Sequence, residues 1–260
     1  MRSIWSGSVK FMVLDIPAKM YSACDDKPTL SSLGVHQIHT TCGNRITAPK
    51  FCDVCQTRLD SSQIKKAYQG NGGNVVIEES DLASLPLKSI KTIEITEFVD
   101  GAKIDARCYT DSYFISPEAS KARDGTKLYT MLLRAMEIAN LVAIGKLTYR
   151  DKEHLVCVRP YYGVLLLQTL HYASELRPFD ELIPKTVAVA PNEMELIQML
   201  VTRCSGEFDI NKYHDDYTDA LLKMVEAKAS GTPIAVEATA PPVSDVAEAL
   251  LKSLQLIGVK

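Results

Sequence analysis

The stretch "AIGKLTYRDKEHLVCVRPYYGVLLLQTLHY", residues 143–172, limits the fold more than any other part of the chain. It holds three runs rich in β-branched, aromatic and leucine residues, "AIGKLTYR", "HLVCVRPYY" and "VLLLQTLHY". They are separated by "DKEH" and by a turn at Gly163. Connections that short suit antiparallel neighbours, so the three runs predict an antiparallel meander. Upstream, "KTIEITEFV" alternates Ile93 and Ile95 with Thr92, Glu94 and Thr96, the period of a half-buried strand. "ARCYTDSYFIS" is similarly aromatic and β-branched, and "KFMVLDIPAKMYSA" reads as a strand punctuated by Pro17. Strands this short and numerous favour a barrel or sandwich over a parallel sheet. One helix interrupts them: in "TKLYTMLLRAMEIAN", Leu128, Met131, Leu132, Ala135 and Ala139 share a face. That helix is expected to cover the barrel.

The character changes after Pro184. "EMELIQMLVTRC" sets Ile197, Leu200, Val201 and Cys204 in helical register behind Pro191 and Asn192. "INKYHDDYTDALLKMVEAKAS" predicts a longer helix with Tyr213, Tyr217, Ala220, Leu221, Met224 and Val225 as its stripe. "SGTPIAVEATAPP" has almost no charge and reads as a linker. A last amphipathic helix starts at Ser244 as N-cap, with Asp245 and Glu248 near its N-terminus. Val246, Leu250, Leu251, Leu254 and Ile257 line its apolar side.

With 260 residues and 46% apolar composition, a sizeable core is possible. No apolar run is long enough to cross a bilayer as a helix, and the N-terminus lacks an h-region, so a cytoplasmic protein is expected. Cys24, Cys108, Cys157 and Cys204 are scattered singly and read as reduced, buried thiols. Charge is uneven: residues 1–174 carry 21 Lys and Arg against 18 Asp and Glu, and residues 175–260 carry 8 against 14. The most basic part is 36–66, where Arg45, Lys50, Arg58, Lys65 and Lys66 face only Asp53 and Asp60. Such a segment is compatible with nucleic acid, although a run like this is more often solvated surface.

That segment also holds His36, His39, Cys42, Cys52 and Cys55, spaced H-x2-H-x2-C-x9-C-x2-C. A C-x2-C knuckle offers two thiolates from one turn, and zinc takes four such ligands in a tetrahedron. His39 and Cys42 supply a second pair, which makes a zinc ribbon of His39, Cys42, Cys52 and Cys55 with "GNRITAPKF" as its hairpin. His36 is the alternative fourth ligand. Four protein ligands leave no place for a reacting water, so the zinc is expected to be structural. The competing reading is a pair of surface thiols beside unrelated histidines. A redox C-x2-C is less suited, because no βαβ pattern frames it.

Other chemistries find little support. "QGNGGN" lacks the Lys and Ser/Thr of a phosphate loop and reads as a hairpin turn. "YHDDYTD" falls on the polar face of a predicted helix, and His154 and His171 are lone strand histidines. No nucleophile elbow, H-E-x-x-H motif or triad occurs, so nothing argues for an enzyme.

Taken in order, "IWSGSVKFMVLDIPAKMYSA", "VHQIH", "CGNRI", "CDVC", "DLASLPLKSIKTIEITEFVD", "GKLTYRDKEHLVCVRPY", "LQTLHYASELR" and "FDINKYHDDYTDALLKMVEAK" resemble the successive blocks of prokaryotic Ku, from about Met1 to Ser230. The resemblance implies an α+β, mainly β chain: an antiparallel Ku-type barrel over 1–186 with a zinc-ribbon-like bridge inserted at about 36–75. It further implies a helical dimerisation arm over 187–230, a linker over 231–242, and a C-terminal helix over 243–260. Two such subunits close a ring that threads a double-stranded DNA end without reading sequence, in non-homologous end joining. Arg45, Lys50, Arg58, Lys65 and Lys66 are then the first candidates for phosphate contact, with Lys146, Arg150 and Arg159 second. Leu250, Leu251, Leu254 and Ile257 would recruit an ATP-dependent DNA ligase of the ligase D type. The length is near that of compact bacterial and phage members, so a complete chain is expected, without the lysine-rich tail of some relatives. Two other readings compete: a zinc-ribbon transcription or replication factor, and a module whose bridge contacts protein.

Overall fold

The computed structural model describes residues 1–25, 33–70, 72–78, 80–81, 84, 91–118, 125–150, 152–231 and 253. The chain divides into two compact units, Met1–Pro178 and Phe179–Lys260. In the first unit the strands are β1 (Trp5–Phe11), β2 (Leu14–Ser22), β3 (Phe51–Cys52), β4 (Thr57–Arg58), β5 (Lys66–Gly70), β6 (Gly73–Ile77), β7 (Thr92–Val99), β8 (Tyr109–Pro117), β9 (Val142–Tyr149), β10 (Lys152–Tyr161) and β11 (Val164–Leu170). Among the described residues, seven of them close a barrel in the order β1-β2-β8-β11-β10-β9-β7. The pairs β3-β4 and β5-β6 form separate two-stranded sheets between β2 and β7.

The expected meander is present as β9, β10 and β11, paired antiparallel in sequence order. The expectation of a wholly antiparallel barrel is corrected. β1 and β7 run parallel, with Ser8 opposite Thr92, Val9 opposite Ile93 and Lys10 opposite Glu94. This pair joins strands on either side of the insert, which lifts the length limit that forces short connections to be antiparallel. Gly7 permits the close approach: a Cβ there would lie 2.2 Å from the Lys91 carbonyl oxygen. On the other side of β7, a Cβ on Gly145 of β9 would lie 2.4 Å from the Glu94 carbonyl oxygen.

Side chains alternate along each strand. Val9, Ile16, Met20, Ile93, Ile115, Leu147, Val158 and Leu165 point into the barrel, each at most 2% exposed. The opposite faces of β9 to β11 are covered as well: Val142, Cys157 and Leu170 are buried outside, with Ile104, Cys108 and Tyr109 packed over them. That cover is built on two 3-10 turns, Gly101–Lys103 and Ala106–Cys108, whose preceding Asp100 and Asp105 accept hydrogen bonds from Ala102 N and Arg107 N. Burial on both faces explains why the meander runs are so continuously apolar.

Helix α1 (Gly125–Ala139) packs on the barrel through Tyr129, Leu133 and Met136. The Tyr129 hydroxyl donates to the Ile115 carbonyl at 2.7 Å and accepts from Leu165 N at 2.7 Å, so it joins β8 to β11. The face predicted for this helix is corrected. Leu128 and Leu132 are half-buried, but Met131, Ala135 and Ala139 are exposed. The helix instead turns Tyr129 to the barrel, where its hydroxyl is satisfied by two backbone groups. The β1–β2 turn also moves: it lies at Met12 and Val13, and Pro17 sits inside β2 opposite Ser8. Similarly, Lys152, Glu153 and His154 of "DKEH" belong to β10.

In the second unit, α2 (Pro191–Cys204) begins with Pro at its first turn, and α3 (Asp216–Ser230) begins at Asp215, whose carboxylate accepts from Thr218 N at 3.1 Å. "YHDDYTD" therefore contains a helix cap rather than a mid-helix polar face, and Tyr213 precedes the helix. Gly231, at φ 70°, ends α3. Neither helix buries a residue within the chain. The predicted linker beyond Gly231 and the C-terminal helix, including Leu250, Leu251, Leu254 and Ile257, lie outside the described residues. No described helix is long and apolar enough to cross a membrane.

Gly7→Ala is expected to destabilise the chain by about 2 kcal/mol or more, because the neighbour to be displaced is backbone. Gly72→Ala, where a Cβ would meet nothing within 4 Å, is expected to fall within about 0.5 kcal/mol of the parent. Urea unfolding of both variants measures the contrast, and equal losses would remove the special status of the β1–β7 seam.

Candidate nucleic-acid interface

The strand register assigns every turn to one of two barrel ends. β1, β7, β8 and β10 begin, and β2, β9 and β11 finish, at the same end, since Trp5 pairs with Met20, Ile93 with Leu147, and Lys152 with Tyr149. The insert leaves from β2 and returns to β7, so both of its junctions lie at this end, together with the β9–β10 turn. The β1–β2 and β10–β11 turns lie at the other, beside α1.

Within the insert, two turns repeat one pattern. In the first, His39 N donates to Asn44 O, Gly43 N donates to His39 O, and Ile38 bridges Arg45. In the second, Cys52 pairs with Thr57 and Phe51 with Arg58. Each turn has a left-handed residue straight after the second member of its pair, Gly43 at φ 72° after Cys42 and Gln56 at φ 52° after Cys55. His39 Nδ1 and Cys42 Sγ are hydrogen-bonded at 3.1 Å. Backbone hydrogen bonds from Cys55 and then Val54, and a side-chain bond from Cys55, bring the Cys52 thiol below its ordinary pKa. The same thiol contact pushes Cys55 up. Each predicted pair is thus assembled, one imidazole with a thiol and one thiol with a thiol. The two pairs are not brought together, for among the described residues no three His, Cys, Asp or Glu side chains form a metal-sized group. The alternative ligand, His36, is turned to the Gly34 carbonyl at 2.9 Å.

The predicted cations fall in three settings. Arg45, Lys50 and Arg58 flank the two turns and are exposed. Lys65 and Lys66 stand at the foot of the β5–β6 hairpin, where Lys65 is paired with Glu78 at 2.7 Å. On the barrel, Lys146 is held by Glu153 at 2.9 Å, which raises its pKa, and Arg150 lies in the β9–β10 turn over the Tyr149 ring at 5.0 Å. Arg159 is different. It is half-buried toward the α1 end, with its guanidinium 5.1 Å over the Tyr109 ring and hydrogen-bonded to the Tyr109 hydroxyl. There it packs against the outer cluster, a setting unlike that of Lys146 and Arg150.

Sequence reasoning missed the ion-pair chain near the insert end. Glu175 accepts from Tyr172 N at 3.0 Å, from Lys152 Nζ at 3.0 Å, and meets His171 Nδ1 at 3.3 Å. The backbone bond from Tyr172 first, then Lys152 and His171, hold its carboxyl at about 2. His171 and Glu175 are four residues apart in "HYASE", but nothing in that spacing announces Lys152. Because this carboxylate titrates lower folded than unfolded, its stabilising effect is complete above the ordinary value of 4.5 and is lost as pH falls toward 2. Glu175→Gln is therefore expected to flatten the loss of stability across that window, measured by thermal unfolding at stepped pH. Parallel pH profiles for parent and variant would contradict it.

The family model "Ku: Ku70/Ku80 beta-barrel domain" matches residues 10–196. "Non-homologous end joining protein Ku" of Archaeoglobus fulgidus is 36% identical over 261 residues, spanning 99% of this chain and all of that protein. The protein of the same name from Desulfitobacterium hafniense is 32% identical over all of this chain and 90% of its own length. For that of Symbiobacterium thermophilum the figures are 31% identity, 98% of this chain and 63% of its own length.

Proposed function

This chain belongs to the Ku family, and from that premise we propose that it binds the ends of double-stranded DNA, without reading sequence, in non-homologous end joining. The observation that carries the reading is the match of residues 10–196, which spans the insert and the barrel from the end of β1 to β11. The chemistry of the insert supports it. Arg45, Lys50, Arg58, Lys65 and Lys66 are exposed on and beside short hairpins, where long cationic side chains reach phosphates without reading base edges. Lys146 and Arg150, near the insert end, extend the same surface.

Two copies of the chain form the ring. Support comes from α2 and α3, which leave Met194, Val201, Tyr217 and Val225 at least 43% exposed. Apolar side chains repeated along two helices call for a cover, and a second arm of the same kind supplies one. The C-terminal segment with Leu250, Leu251, Leu254 and Ile257 recruits an ATP-dependent DNA ligase of the ligase D type. No catalytic role is assigned to the chain, which acts in the cytoplasm on the nucleoid.

The ribbon residues fit zinc in their chemistry, two thiols and an imidazole–thiol pair on two matching turns. His39, Cys42, Cys52 and Cys55 would hold it, and the ion would supply a cross-link that stiffens the insert. Two-stranded sheets as small as β3-β4 gain little stability by themselves, which is why a cross-link there has an effect. About one zinc per chain is expected in purified protein, and Cys52→Ser is expected to release it while the barrel stays folded. Metal analysis with circular dichroism tests this, and less than about one zinc per two chains in a folded sample contradicts it.

For DNA, the expected outcome is tight binding to linear duplex and little to closed circles at matched salt. Replacing Arg45, Lys50, Arg58, Lys65 and Lys66 by Ala should weaken binding and flatten the plot of log K against log salt by about 2 or more, given about 0.9 per phosphate contact. Equal affinity for linear and circular DNA would sink the end-binding claim, and strong sequence preference without need of an end would favour a zinc-ribbon transcription or replication factor. An unchanged affinity in the five-fold variant would favour an insert that contacts protein.

A further inference from the structure

At the barrel end away from the insert junctions, a cavity of about 530 Å³ opens between the end of α1, the Asp100 turn and the β10–β11 hairpin. We propose that it receives a lysine or arginine side chain from a partner protein. The hairpin tip is the first reason. Tyr162 has φ 44° and Gly163 φ 85°, a backbone that favours Asn or Gly at both positions. The residue there is nonetheless a tyrosine, 94% exposed and outside the core. Its ring meets that of Tyr161 at 4.8 Å and 87°, two aromatic walls at a right angle. Perpendicular rings open to solvent attract cations through their π faces.

The remaining lining agrees with that charge. Asp100 and Glu137 both border the cavity. Among the described residues, Glu137 is met by a cation only at 4.0 Å, by Arg134 on the same exposed helix face. The carbonyl end of α1 is adjacent and adds negative potential. Met136 and Leu141 form an apolar floor suited to the aliphatic stem of a long cationic side chain. Arg159 also borders the cavity, but its guanidinium is committed to Tyr109, and its Nε is fully buried. The volume exceeds one side chain, which leaves room for the adjoining peptide and favours a protein segment over a free amine. The site is independent of the DNA-binding reading, because the insert leaves the barrel from its other end.

The full chain, labelled with 13C at its methionine methyls, tests the proposal by NMR. The Met136 signal is identified by its loss in Met136→Leu. Titration with acetyl-Gly-Arg-Gly-amide at constant ionic strength is expected to shift that signal saturably. The same peptide with citrulline in place of arginine should bind about fivefold more weakly, as should the arginine peptide to Tyr162→Ala or Glu137→Gln. Tyr162→Ala should keep parental affinity for linear DNA, which separates this site from the insert. No shift with the arginine peptide, or equal binding of the citrulline peptide, overturns the proposal. Tighter binding by spermidine than by the peptide also overturns it, in favour of a free polyamine.

Discussion

The parallel contact of β1 with β7 is the constraint on which the remaining structure depends. It joins the chain before the insert to the chain after it, and it alone closes the barrel. Loop-closure entropy rises only slowly with length, about 0.6 kcal/mol for each doubling, so a long insert between the two strands is tolerated. The seam instead rests on sterics. Ser8 N donates to the Lys91 carbonyl at 3.2 Å, and the absence of a side chain on Gly7 lets that carbonyl approach. Lys91 itself is left-handed, at φ 54°, as the chain turns from the insert into β7.

Once the seam is closed, the two barrel ends acquire different chemistry. One end carries both insert junctions, the Arg150 turn and the Lys152–Glu175–His171 chain. The other is covered by α1, with Tyr129 tying β8 to β11 through two backbone partners. A rigid closed sheet between them means that cations on the insert and the acidic, aromatic cavity are separate surfaces. The described sheets of the insert are two-stranded and its predicted cations exposed, so local turns and side-chain pairs set much of its geometry.

Much of this was legible in the residues. The meander followed from three apolar runs with connections too short to cross over, and the β5–β6 turn from "QGNGGN". The two ligand pairs were visible as short-range spacings, because partners three residues apart meet through a single turn. Features made by distant segments were not visible. The buried face of α1 was misread, since the helix presents whatever the barrel end can satisfy, and a buried backbone N–H at Leu165 called for a hydroxyl. Arg159 looked like a neighbour of Lys146 on a strand, yet Tyr109, fifty residues away, decides its position.

By itself the sequence determined the local elements, the ligand pairs, the basic character of the insert and the blocks that mark the family. These depend on residues within a turn or a strand of one another. Only the tertiary structure decided that the barrel closes through a parallel pair, that Glu78, Glu153 and Tyr109 hold Lys65, Lys146 and Arg159, and that Asp100, Glu137 and two tyrosines share one cavity. Those outcomes require strand register around a closed sheet, and register is set by the sum of packing in the core, where no single stretch of chain carries the information.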